Sequence, residues 1–231
     1  YGQAKKKLSE EASIDEMKDS QTNVSGALFV TFNDDPNVTY LAFPGVRGIS
    51  AEQGCGLSHD IKDVLSLSSA SLEDDQEFQT FHNDLQKQIS EKREQGKHIV
   101  FSGHCLGAAR AEKALKAFVQ EGDALFTFAP VIKSFNEKAC EDFAKENPGI
   151  AMYNFTLEDD FWFCSFFKAL MKPFSHSTAL GTSMQLTAPS NDWRWNAHRA
   201  KRHISAVRQW LKTLEGQQFS QKLKQRLTAS R

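Results

Sequence analysis

A chain of 231 residues fits one α/β domain that buries roughly 70–75% of its unfolded surface. With 40% hydrophobic and 25% charged residues, its composition excludes the collagen-like, disulfide-dense and disordered classes, and no apolar run approaches the ~18 residues of a membrane-spanning helix. The net charge of −1 hides an uneven split, because residues 198–231 hold nine Lys and Arg against the single acid Glu215, a net +8 that leaves −9 on the rest.

In chain order, Lys5, Lys6 and Lys7 are not followed by an apolar run, so no signal peptide is expected. The start at Tyr1 rather than Met suggests a piece of a longer protein. Residues 1–22 read as a polar, helix-compatible extension ending in a turn-like stretch at 20–25. Residues 23–215 form the expected domain. It opens with two β-rich runs, 27–32 and 38–43, flanking the turn cluster Asn33-Asp34-Asp35-Pro36-Asn37, which is a hairpin pattern. Helical patterns follow at 60–67 and 72–93, the second with Phe78, Phe81, Leu85 and Ile89 on one face.

Strands and helices then alternate. Strands are expected at 98–102, 124–128 and 150–156, with helices at 106–120 and 136–146 between them, which implies βαβ units and a mostly parallel sheet flanked by helices. A last helix is expected from about residue 197, with Ile204, Val207, Trp210, Leu211 and Leu214 on one side. Residues 216–231 are left as a basic tail.

Four cysteines, Cys55, Cys105, Cys140 and Cys164, have no CxxC spacing, and the seven histidines show no ligand pairing with them. No zinc site is expected, and thiols so widely spaced suit a reducing compartment such as the cytoplasm.

One motif stands out. Between a strand and a helix lies Gly103-His104-Cys105-Leu106-Gly107, a G-x-C-x-G turn of the nucleophile-elbow type with sulfur as the nucleophile. A chain of this composition holds that pattern by chance about 0.01 times. The glycines allow the strand to reverse tightly into the helix. The helix N-terminus then favours a thiolate and offers backbone N–H groups to an oxyanion.

Several further blocks occur in one order. The sequence Thr39-Tyr40-Leu41-Ala42-Phe43-Pro44-Gly45-Val46 precedes Ser58-His59-Asp60-Ile61-Lys62-Asp63, and after the elbow comes Phe126-Thr127-Phe128-Ala129-Pro130-Val131. With Gly103 to Gly107 these resemble the class 3 lipase family of α/β hydrolases from about Val24 to Trp210. The first block is similar to that family's oxyanion loop, the second to its W-x-x-D segment and the third to its T-F-G-x-P-R-V turn. Cys105 stands where the family has serine, and Pro44 and Val46 where it has Arg and Thr, so the position of Val46 can offer the oxyanion only a backbone N–H. The resemblance implies an α/β-hydrolase-like fold acting on an acyl substrate.

An elbow nucleophile requires an acid and then a histidine later in the chain. Glu158, Asp159 and Asp160 lie just beyond strand 150–156, and the resemblance favours Asp160, with Asp159 as the alternative. His176, His198 and His203 follow, and the resemblance favours His203, which is similar to the histidine before the family's final helix. The side chain of His104 is expected to turn from the nucleophile toward packing. The resulting reading is a Cys105–His203–Asp160 triad, with backbone N–H groups of Leu106 and Val46 holding the oxyanion and a thioester acyl-enzyme as intermediate. No cofactor or metal enters this chemistry.

Phe161-Trp162-Phe163-Cys164-Ser165-Phe166-Phe167 follows the acid, so Phe161, Trp162, Phe163 and Phe166 are candidates for an acyl pocket or, equally, for core filling. The substrate expected is a small-molecule or lipid-like ester, thioester or amide. In the tail, Leu211, Leu214, Phe219, Leu223 and Leu227 alternate with Lys and Arg, either as a solvated face or as a helix on an anionic membrane. Nucleic acid is not an expected partner, since the −9 on the rest of the chain repels phosphate. The competing expectation is an inactive lipase-like module that binds lipid or a protein partner.

Overall fold

The computed structural model describes residues 10–18, 25–45, 76–130, 135–157, 177–178, 180–187 and 200–229. Strands β1 (Ala12–Lys18), β2 (Ser25–Phe32) and β3 (Val38–Phe43) form an antiparallel meander. The expected hairpin is present: the Asp35 N–H donates to the Phe32 carbonyl at 3.2 Å and the Val38 N–H to the Asp35 carbonyl at 3.3 Å, closing the turn. The Thr31 and Thr39 hydroxyls meet at 2.8 Å across the buried face.

The polar stretch read as helix-compatible is therefore a strand over residues 12–18. In β1, Ser13 and Asp15 are exposed while Ala12 and Met17 are buried, and Ile14 pairs with Val30. Tertiary pairing overrides a weak local preference, and polar outward side chains suit an edge strand.

Helix α1 (Gln76–Glu94) leads into β4 (His98–His104), α2 (Leu106–Phe118) and β5 (Ala124–Phe128). Then come β6 (Phe135–Asn136), α3 (Glu137–Glu146), β7 (Ala151–Leu157), β8 (Ser177–Thr178) and β9 (Thr182–Leu186). The main sheet has the order β1-β2-β3-β4-β5-β7-β9, and every pairing from β3 onward is parallel. Strands β6 and β8 pair separately. Helices α4 (Ala200–Trp210) and α5 (Leu214–Ala229) close the chain.

Both faces of the sheet are covered, as parallel strands require. On one face Leu41, Ile99, Phe101, Leu125 and Met152 pack against Leu85 and Ile89 of α1, Leu115 and Phe118 of α2, and Phe143 of α3. On the other, Phe126, Tyr153 and Phe155 meet Ala206, Val207 and Trp210 of α4 and Phe219 of α5, and Leu223 packs beside Val100 and Tyr153. This is an α/β-hydrolase-like architecture.

Two C-terminal expectations are corrected. The last helix breaks after Trp210: the Thr213 N–H and hydroxyl donate to the Trp210 carbonyl at 2.8 and 2.6 Å, and the Thr213 oxygen accepts the Gly216 N–H at 3.2 Å, starting α5. The inner side of α4 holds His203, Ala206, Val207 and Trp210, at three- and four-residue spacing, while Ile204, Leu211 and Leu214 point out at 50%, 38% and 71% exposure. The basic tail is not loose where it is described, since α5 docks through Phe219 and Leu223.

Asp123 marks the end of the sheet opposite the elbow. It accepts the Ile99 and Gln120 N–H groups at 2.8 and 2.9 Å and the Arg93 guanidinium at 2.6 Å. Burial pushes its carboxyl up, against the pull of those donors. It clamps β4 to β5 and lies far along the strands from Cys105.

Candidate active site

The parallel register sets Phe43 beside Gly103, His104 beside Phe128, and Phe128 beside Phe155. The carboxyl ends of β3, β4, β5 and β7 thus meet at one sheet edge, where open α/β sheets place their ligands. Cys105 sits on that edge between β4 and α2 with φ 59° and ψ −121°, a conformation that a side chain enters only under compulsion. The compulsion is visible. The Cys105 N–H donates to the Phe128 carbonyl at 3.0 Å, and the Cys105 carbonyl accepts the Ala108 N–H at 3.1 Å.

The flanking glycines are sterically required. A Cβ on Gly103 would lie 2.1 Å from the Gly107 carbonyl oxygen, and one on Gly107 would lie 2.2 Å from that of Phe43. Both obstacles are backbone, which cannot swing aside. The loop after β3 arrives on top of the turn: a Cβ on Gly45 would stand 2.8 Å from the His104 oxygen and 3.3 Å from Cys105 Cβ. Arg110, one turn into α2, donates to the Pro44 carbonyl at 3.4 Å and helps hold that loop. Leu106 opens α2, where a backbone N–H has no partner within the helix. Val46, the other expected oxyanion donor, lies outside the described residues.

His203 is the fourth residue of α4, inside the helix rather than ahead of it, and is 1% exposed. Its ring packs edge to face against that of His104, with centroids 5.3 Å apart and planes at 71°. His104 faces the side of the sheet that α4 covers, and its packing partner is the candidate base itself, which the sequence reading did not anticipate. Cys105 and His203 are thus brought to the same end of β4 through the residue between them. Cys105 is 5% exposed. Glu158, Asp159, Asp160, Phe161, Trp162, Phe163, Phe166, His176 and His198 all lie outside the described residues, as do Cys55 and Cys164.

A buried polar group below the edge also escaped the sequence reading. The Thr127 hydroxyl donates to the Asn154 side-chain oxygen, the Asn154 amide donates to the Leu180 carbonyl at 2.6 Å, and the Leu180 N–H reaches Glu112 at 3.3 Å. These bonds tie α2, β5 and β7 to the approach to β9. The available signal was Asn154 standing between Tyr153 and Phe155 in a largely apolar strand, since buried polar side chains need partners, whereas Glu112, flanked by Arg110 and Lys113, gave none. Also on α2, burial lowers the Lys113 amine to about 8.

Among the described residues no group of three or more His, Cys, Asp or Glu could hold a metal ion, and no helix is long and apolar enough to cross a membrane. No family model and no curated protein matches the chain. Among solved structures it is similar to the mono- and diacylglycerol lipase from Aspergillus oryzae at 20% identity, covering 77% of this chain with a TM-score of 0.47. The match spans 64% of that lipase's length. A likeness this distant bears on neither the chemistry nor the substrate.

Proposed function

We propose that the chain is an acyl hydrolase or acyltransferase that uses Cys105, His203 and Asp160 on a lipid-like ester, thioester or amide. The observation that carries this reading is the positive φ of Cys105 at the carboxyl edge of a parallel sheet. A cysteine serving only to fill space needs no such backbone, whereas a nucleophile presented above a helix N-terminus does.

In the proposed reaction His203, oriented by Asp160, takes the Cys105 proton, and the sulfur attacks the acyl carbonyl. The C–S bond forms as the carbonyl electrons move to oxygen, where the Leu106 and Val46 N–H groups stabilise the charge. The intermediate collapses, the bond to the leaving group breaks, and His203 hands that group its proton. Water, a thiol or an amine then attacks the thioester, the C–S bond breaks, and Cys105 recovers a proton through His203. Phe161, Trp162, Phe163 and Phe166, just past Asp160, supply apolar surface for the acyl chain.

A second reading, a module that binds lipid or a protein partner without chemistry, is favoured by the 5% exposure of Cys105. Intact-mass spectrometry with a panel of acyl esters and thioesters separates the two. The enzyme reading expects an acyl adduct on Cys105, slowed in His203→Ala and in Asp160→Asn. It is overturned if no adduct forms, Cys105 alkylates no faster than a free thiol at neutral pH, and His203→Ala leaves that rate unchanged.

A further inference from the structure

All the large hydrophobic side chains exposed among the described residues, Ile204, Leu211 and Leu214, fall in one short stretch at the junction of α4 and α5. Ile204, Arg208 and Leu211 follow each other at four and three residues, and the Leu211 N–H still bonds to the Val207 carbonyl at 2.9 Å, so they share one face of the helix. Leu214 begins α5 just past the turn. Exposed Arg208 and Lys212 alternate with these side chains along the chain, exposed Lys222 follows about two turns into α5, and Glu215 is the acid of the stretch. Apolar side chains interspersed with cations are what an interfacial helix presents to lipid headgroups.

We infer that this corner docks on an anionic lipid surface. Charge complementarity selects that occupant. The +8 of residues 198–231 against the −9 of the preceding chain puts the excess of cations in the segment that carries this patch, so an anionic surface attracts this stretch more than the rest of the chain. Leu211 and Leu214 then enter the headgroup region while the cations stay at phosphate level. The surface differs from the amphipathic tail read from the sequence, because Phe219 and Leu223 are already spent on the sheet. Docking would set the outer side of α4 on lipid while its inner side carries His203, and it does not depend on Cys105 being a nucleophile.

Sedimentation of the whole chain with phosphatidylcholine vesicles, with and without phosphatidylserine, tests the inference. The expected result is binding to the serine-containing vesicles alone, weakened by salt. The Leu211→Ser/Leu214→Ser double variant should lose at least about tenfold in binding, and Arg208→Glu/Lys212→Glu at least fivefold for each cation removed. Alkylation of Cys105 should be unchanged in both variants. Equal binding to both vesicle types, or binding that survives both variants, overturns the inference. So does a dimer in solution that the leucine variant breaks while vesicles are ignored, because the patch would then belong to a second copy.

Discussion

The rings of His104 and His203 meet edge to face at 5.3 Å, joining the residue before the candidate nucleophile to the candidate base on another element. An aromatic contact of this kind contributes about 0.5–1.5 kcal/mol. If His203 is the base, this contact is a positioning one and bears on kcat. His104→Ala is therefore expected to lower kcat on a thioester substrate about fivefold with KM nearly unchanged, and His104→Phe to restore most of the loss. Steady-state kinetics of the two variants check this, and a change confined to KM would contradict it.

Backbone strain at Cys105 makes a stability prediction separable from chemistry. Both Cys105→Ala and Cys105→Gly remove the sulfur, but only glycine is at ease at φ 59°. The glycine variant should unfold in urea with a free energy about 1–3 kcal/mol above the alanine variant, and neither should form an acyl adduct. Gly103→Ala works in the opposite direction. With a backbone oxygen 2.1 Å from the new Cβ, a loss of at least about 3 kcal/mol is expected.

Ala129, directly after β5, has φ 47°, and its N–H donates to the Phe155 carbonyl at 2.8 Å. Ala129→Gly relieves a left-handed conformation worth roughly 1–2 kcal/mol, partly offset by the greater freedom of glycine in the unfolded chain. The expected net gain is up to about 1 kcal/mol. Thermal unfolding measures it, and a fall in Tm would count against the strain.

Lys113 gives a pH signature. Burial lowers its amine from the usual 10.5 to about 8, so between those values the unfolded chain holds a proton that the folded chain has released. Stability should therefore rise as pH increases from about 8 toward 10.5 through this residue. In Lys113→Met the rise should be reduced. Urea midpoints of the two proteins across that window are the comparison.

What could be read from the sequence was whatever local sterics or periodicity dictated. The tight turn at Cys105 was legible because the demands at Gly103 and Gly107 arise within five residues. The hairpin and α2 were legible from turn chemistry and apolar spacing. Strand β1 was not, because its polar side chains make sense only at the edge of a sheet beside β2. Nor was β9, where only Leu186 is buried and no alternation stands out. Ile204, Leu211 and Leu214 do not share a side with Val207 and Trp210, because the buried stripe of α4 runs through His203 and Ala206 and Thr213 ends one helix and starts the next. The meeting of His104 with His203 depends on how α4 crosses the sheet, a tertiary fact that no motif states.

The order of the strands also implies an order of assembly. Ile14 pairs with Val30 and Val30 with Tyr40, close in the chain, whereas the parallel partner of β3 is distant, Val38 pairing with His98. Loop closure therefore favours the meander as an early unit and leaves the parallel half for later. The Phe128 carbonyl that fixes the Cys105 backbone belongs to that late half. The thiol therefore takes its forced posture only when the sheet is nearly complete, so a truncated or half-folded chain would carry an ordinary cysteine.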